Sequence, residues 1–270
     1  MSRSFLDTTI LKSLADARDP ANSTCEAFVL GNQPAEVPYY AARELLTGVV
    51  RYMCDAHNVL HAASSYGEAM LALLARPPAE GRKREAKLKL LAECLAEIFK
   101  GDDAARPNDV KREALQHLAI RAAQLWNRGR RLKRVDHIQS LACFNDGKLS
   151  RGPAGELLGP NDSFNCHRSK RCAAAEYLAD NEAALSKVIE ALHPKNLPEP
   201  LRGKKENSQR RKALKELREH GAQRFDKGLC RAIGDAYFAL MCPAGAVVVT
   251  TNTVDHVILC KAVGKQAVKP

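Results

Sequence analysis

The sequence predicts an α/β chain: a small parallel sheet flanked by helices, built from the two ends, with a mainly α-helical insertion between them. Three observations predict it. Short apolar strand-like runs stand near the ends, at Phe5-Leu6, residues 246–250 and Ala267-Val268. The stretch between them carries apolar residues at helical spacing. The ends are close to neutral, with residues 1–60 at −2 and 232–270 at +1, whereas 61–231 hold +12 of the formal +11. Strands so far apart in sequence pair through crossovers, which suits a parallel sheet.

The elements follow in order. Phe5-Leu6 opens a strand, and a helix runs over Ile10 to Leu14. Residues 19–38, with Pro20, Asn22, Gly31, Asn32, Pro34 and Pro38, read as loop. Residues 36–58 read as helix, with Leu45, Val49, Tyr52 and Met53 on one side. Amphipathic helices are expected at about 83–100 and 109–127, where Trp126 falls on the apolar face. Residues 144–168 are rich in turn signals. One helix is expected over 172–192, a basic one over 204–220 and an apolar one over 227–241. The run 246–250 then reads as a buried strand. On this pattern the end domain takes residues 1–60 and 225–270, and a basic helical insertion takes 61–224.

Composition bounds the class. Of 270 residues, 45% are hydrophobic and 27% charged, which is globular composition and excludes a disordered chain. No apolar run reaches the roughly 20 residues of a membrane helix. Met1-Ser2-Arg3-Ser4-Phe5 has no apolar signal core, and nine scattered cysteines read as free thiols. The expectation is a cytoplasmic protein with no membrane partner.

Forty-two Lys+Arg against 31 Asp+Glu point to a polyanion. The densest runs contain Arg82, Lys83 and Arg84, then Arg130, Arg131, Lys133 and Arg134, then Lys204, Lys205, Arg210 and Arg211. Aromatic residues make only 5%, so phosphate contacts are favoured over base stacking. The ordinary role of any one such run is a solvated helix face.

Acidic residues stand where the apolar elements of the two ends stop. Asp7 follows the first strand, and Asn252 and Asp255 follow the run 246–250. Asp235 lies within an apolar helix and Glu44 within the 36–58 helix. Carboxylates at the carboxyl ends of parallel strands are suited to Mg²⁺ or Mn²⁺, hard cations that take oxygen ligands. Each acid alone is ordinarily a cap or surface residue.

Other chemistries find less support. Cys166-His167 with Cys172 lacks a second zinc-type pair, and His57 and His61 lack the glutamate of a zinc-protease helix. Cys54 with His57 has no third orienting partner. Neither glycine-rich nucleotide loop occurs.

The acidic segments carry a resemblance. Phe5-Leu6-Asp7-Thr8-Thr9-Ile10-Leu11, Glu44-Leu45-Leu46-Thr47-Gly48, Gly234-Asp235-Ala236-Tyr237-Phe238-Ala239 and Val247-Val248-Val249-Thr250-Thr251-Asn252-Thr253-Val254-Asp255-His256 occur in that order. Together they resemble the motifs of the PIN-domain family, metal-dependent nucleases that include VapC-type ribonuclease toxins. The resemblance covers about 1–60 and 225–270 and leaves the middle without a counterpart. It implies that Asp7, Glu44 and Asp235 hold Mg²⁺ or Mn²⁺. Asn252 falls on the fourth acidic position, Asp255 supplies a neighbouring carboxylate and His256 replaces the usual aromatic. Thr8, Thr9 and Thr250 fall on small hydroxyl positions beside the acids. The implied activity is metal-assisted phosphodiester hydrolysis, with RNA the favoured substrate. A DNA-cleaving enzyme and a non-catalytic nucleic-acid-binding or protein-interaction module are the alternatives. An inhibitor or complex-forming protein and a second copy of the chain are the implied protein partners.

Overall fold

Phe5 and Leu6 have no exposed surface, and burial on both faces is what a central strand of a parallel sheet requires. The computed structural model of the protein describes residues 3–16, 19–75, 81–99, 107–131, 149–159, 172–224 and 229–270. The chain begins with β1 (Arg3–Leu6) and α1 (Thr8–Ala15). Where a loop is expected, residues 19–38 hold α2 (Asn22–Gly31) and the short β2 (Ala35–Glu36). Their turn-forming residues serve as fasteners: Asn22 Nδ2 donates to Ser13 O, Asn32 Nδ2 to Phe28 O, and Ser4 Oγ to Asn32 O.

A continuous helical stretch follows, as the spacing predicts. It consists of α3 (Tyr39–Glu44), a π-helical turn over Leu45–Val50, and α4 (Arg51–Ala62). Next come α5 (Tyr66–Leu74), α6 (Gly81–Ile98) and α7 (Pro107–Arg131). A two-stranded antiparallel hairpin, β3 (Ser150–Arg151) and β4 (Leu157–Leu158), lies in the turn-rich region. The expected single helix over 172–192 is two, α8 (Ala173–Asp180) and α9 (Glu182–Ala191), parted at Asn181. The remaining elements are α10 (Glu199–Arg202), α11 (Lys205–His220), a 3₁₀ turn over Ala222–Arg224, α12 (Cys230–Met241), β5 (Ala246–Val249), α13 (Thr253–Ala262) and β6 (Gln266–Val268).

The class is α/β, and helix predominates. The main sheet is parallel throughout with order β2-β1-β5-β6. Phe5 pairs with Val248 and Leu6 with Val249, so the two ends of the chain do meet in its centre.

The described residues fall into two units, and their boundaries differ from the expected ones. The first takes 3–16, 19–43, 172–224 and 229–270; the second takes 44–75, 81–99, 107–131 and 149–159. Helices α8, α9 and α11, expected in the insertion, pack on α12 and α13 beside the sheet. Packing explains it: the ring of Tyr177 meets that of Tyr237 edge-on at 5.6 Å, and the buried Ala213, Leu214 and Leu217 line α11. Linear composition marks the region as basic and helical but does not show which core it closes over.

In the first unit, Phe5 and Phe238 stack at 4.9 Å between sheet and α12. Lys265 closes the carboxyl end of α12 by donating to Leu240 O at 2.6 Å and to Cys242 O. Burial lowers the pKa of that lysine and pushes the Cys242 thiol up to about 11 and that of Cys260 up to about 12.

In the second unit, Ala56, Leu60, Leu73, Leu91, Ala114 and Leu118 form one core between α4, α5, α6 and α7. Asn58 fastens the hairpin to α4 by accepting from Leu157 N at 2.7 Å and donating to Leu157 O at 2.9 Å. His57 and His61 stack at 6.0 Å, and burial lowers the His57 pKa. The Cys54 thiol, pushed up to about 12 by burial, is unsuited to nucleophilic work. Among the described residues, no helix is long and apolar enough to cross a membrane. The described cysteines 25, 54, 94, 172, 242 and 260 form no disulfide; Cys166 and His167 lie outside the described residues.

Candidate active site

The site begins where β1 and β5 end side by side. Asp7 N donates to Val249 O at 3.0 Å, which carries the sheet pairing one residue past β1. Asp7 then caps α1, with extended backbone (φ −74°, ψ 160°) and a side chain that accepts from Thr9 N at 3.4 Å. Its Oδ2 also accepts from Thr9 Oγ1 and Thr250 Oγ1, each at 2.8 Å. A hydroxyl has one proton to give, so both threonines commit theirs to Asp7. Their 3.4 Å approach to each other is therefore a contact without a proton of its own. Each hydroxyl also accepts a backbone N–H: Thr251 N on Thr9 at 3.1 Å, and Asn252 N on Thr250 at 2.9 Å. Asn252 Nδ2 in turn donates to Asp255 Oδ2 at 2.9 Å. Asp7, Thr9, Thr250, Asn252 and Asp255 thus form one connected polar network at the carboxyl ends of two central strands.

Asp7 is 6% exposed, and its two oxygens differ. Oδ2 takes three donors; Oδ1 faces His256 Nε2 at 3.7 Å, beyond hydrogen-bond reach. His256, which the resemblance sets in place of an aromatic, is buried and edge-on to Phe238 at 5.3 Å. Its Nδ1 is buried without a hydrogen-bond partner.

Asp235 stands on α12, one residue after Gly234. A Cβ at Gly234 would overlap the hydroxyl of Tyr40, a buried side chain whose ring packs edge-on to Tyr237 at 5.9 Å. Glycine is thus required for α12 to approach α3 this closely. Gly234→Ala is expected to lower stability by about 1–3 kcal/mol, read as a drop in the thermal midpoint against wild type.

Asp235 Oδ2 is paired with Arg210 Nη2, the side chains being 29% and 7% exposed. Arg210 was expected on a nucleic-acid-facing surface; it is instead buried and turned to the acid. On α11 it shares a face with Asn207, Ala213, Leu214 and Leu217, and that apolar face packs inward. An arginine on the apolar stripe was the signal in the sequence. Lys204 and Lys205 are exposed and Arg211 half-buried. Arg84 lies in the second unit, half-buried. The side chains of Arg82, Lys83, Arg130 and Arg131, and all of Lys133 and Arg134, lie outside the described residues.

Glu44 belongs to the second unit, where it ends α3 ahead of the π-helical turn, and is half-buried. The first unit therefore brings Asp7, Asn252 and Asp255 into one network and places Asp235 on the helix packed against α13. Among the described residues, no three His, Cys, Asp or Glu side chains gather closely enough to hold a metal ion. The donor type nonetheless suits a hard divalent cation: among the described residues, Asp7 Oδ1, Asp235 Oδ1 and Asn252 Oδ1 are oxygens that accept no hydrogen bond. The guanidinium on Asp235 is what departs from such a site.

No family model matches the chain, no curated protein matches it, and no solved structure does.

Proposed function

We propose that this protein is a PIN-like nuclease that hydrolyses phosphodiester bonds with Mg²⁺ or Mn²⁺, with RNA the favoured substrate. The observation that supports this most is the Asp7–Thr250–Asn252–Asp255 network at the carboxyl ends of β1 and β5. Ligands of open parallel sheets bind at that edge.

In this reading Asp7 and Asp235 hold the ion, with Asp255 as a further acid of the same unit. The ion, when bound, lowers the pKa of a water and offsets charge on the scissile phosphate. The protein's part is preparation. Thr9 and Thr250 take up Asp7 Oδ2 and so leave Oδ1 as its oxygen without a donor. Asn252 fixes Asp255 from the strand end. The exposed side of α11, with Lys204, Lys205, Lys212 and Arg218, attracts the phosphate backbone towards a site whose acids would otherwise repel it.

A second reading is a nucleic-acid-binding module that does not cleave. Asn252 in place of an acid and the Arg210–Asp235 pair favour it. One panel separates the two. Labelled RNA, single-stranded DNA and duplex DNA are incubated with Mg²⁺, Mn²⁺ or EDTA, using wild type and Asp235→Asn. The nuclease reading expects RNA cleavage that EDTA and Asp235→Asn both abolish. Cleavage of DNA alone reassigns the substrate. Binding without cleavage under every condition establishes the second reading.

A further inference from the structure

Arg210 is the group that neither composition nor the motif pattern accounts for. It is held from behind: its Nη1 donates to Asn207 Oδ1 at 2.9 Å, and Asn207 Nδ2 donates to Leu201 O at 3.2 Å, where α10 turns into α11. Asn207 is buried as well. The guanidinium is therefore a fixed charge at Asp235 and not a surface arm that swings there. Its Nε is buried with no acceptor.

We propose that Arg210 is a positioning residue that competes with the divalent cation for Asp235, so that the protein carries a built-in counter-ion on an acid that the motif pattern assigns to the metal. The proposal rests on the nuclease reading above. A guanidinium is cationic at every physiological pH. While it holds Asp235 Oδ2, the carboxylate offers an incoming ion one oxygen, and the ion meets a fixed positive charge across a half-buried site. Asp7 has no permanent cation of this kind: the groups on its Oδ2 are hydroxyls and a backbone N–H, and the ring that faces Oδ1, His256 at 3.7 Å, is a cation only when protonated. The ion is thus expected to bind at Asp7 first and to gain Asp235 only by sharing or displacing Arg210.

The test is a Mn²⁺ titration of the full chain, following free Mn²⁺ by electron paramagnetic resonance, with circular dichroism to establish folding. Arg210→Gln removes the charge and keeps an amide donor for Asp235. It is expected to bind Mn²⁺ about tenfold or more tightly than wild type. Arg210→Lys keeps the cation but does not bridge Asn207 and Asp235 together, so it is expected between the two. In an Asp235→Asn background the gain from Arg210→Gln is expected to vanish. A folded Arg210→Gln that binds no more tightly than a wild type that does bind Mn²⁺ overturns the proposal and leaves the nuclease reading standing. So does a gain that persists in Asp235→Asn. If Arg210→Gln does not fold, Arg210→Lys decides by the same comparison. If neither wild type nor any folded variant binds Mn²⁺, the nuclease reading falls and this proposal with it.

Discussion

Asp7→Asn is expected to abolish divalent-dependent cleavage while leaving the fold and nucleic-acid binding intact. Asparagine caps a helix as well as aspartate does, and its Oδ1 accepts the protons of Thr9 and Thr250 as Oδ2 does now. The amide nitrogen then takes the place of the oxygen that faces His256, where no donor is displaced. What is lost is one negative charge at the junction of β1 and β5. Removing even an outer partner of a metal ligand costs 10–100-fold, so the loss of a ligand is expected to exceed about 100-fold in cleavage rate. Binding of RNA, read by filter retention or anisotropy, is expected to hold or tighten, since one repulsive charge is gone. The measurement pairs both readouts with a thermal melt. Unchanged cleavage by a folded Asp7→Asn overturns the assignment of this acid.

Phe238→Ala is expected to have the largest effect on stability. Phe238 is 1% exposed and meets both the sheet and α13: its ring lies 4.9 Å from that of Phe5 and 5.3 Å from that of His256. Truncation removes the wall between sheet and α12 and leaves a cavity on the blind side of the site. Such changes cost about 3–5 kcal/mol, against a total stability of roughly 5–15 kcal/mol. Urea unfolding is the measure. Phe238→Leu, which fills much of the volume, is expected to cost under about 1.5 kcal/mol. If alanine costs no more than leucine, the ring stack is not what joins α12 to the sheet.

The two central strands were legible in the sequence because they are largely buried on both faces, and double burial writes itself as short unbroken apolar runs, as at 246–249; the edge strand β2 was not. Asp7 was legible for the same reason, since it follows directly on such a run, and Asn252 and Asp255 because they stand at the start of the helix just after one. Helix α2 was not. Its inward side is just Cys25 and Val29, four residues apart, and two positions carry no period. Helix α13 was hidden likewise: His256, Leu259 and Cys260 turn inward, but Val254 and Val257 face outward and blur its stripe. The packing of α8, α9 and α11 beside the sheet depends on long-range contacts that local pattern does not encode. Arg210 shows the limit most clearly. A basic residue in a basic run reads as surface, and only its coincidence with the phase of Leu214 and Leu217 marks it as inward-facing.

The pairing of Phe5 with Val248 has a consequence for synthesis. The centre of the sheet joins segments separated by almost the whole chain, and contacts of that span form late. A ribosome adds about 5–20 residues per second, so Phe5 waits roughly 12–50 s for its partner strand to be made. The four-helix core of the second unit, built from contacts within 44–131, has all its residues well before then. Until β5 is translated, Asp7 lacks Thr250, and the network at the strand ends is incomplete. On the nuclease reading, a nascent chain therefore exposes its basic segments for many seconds before that site can form.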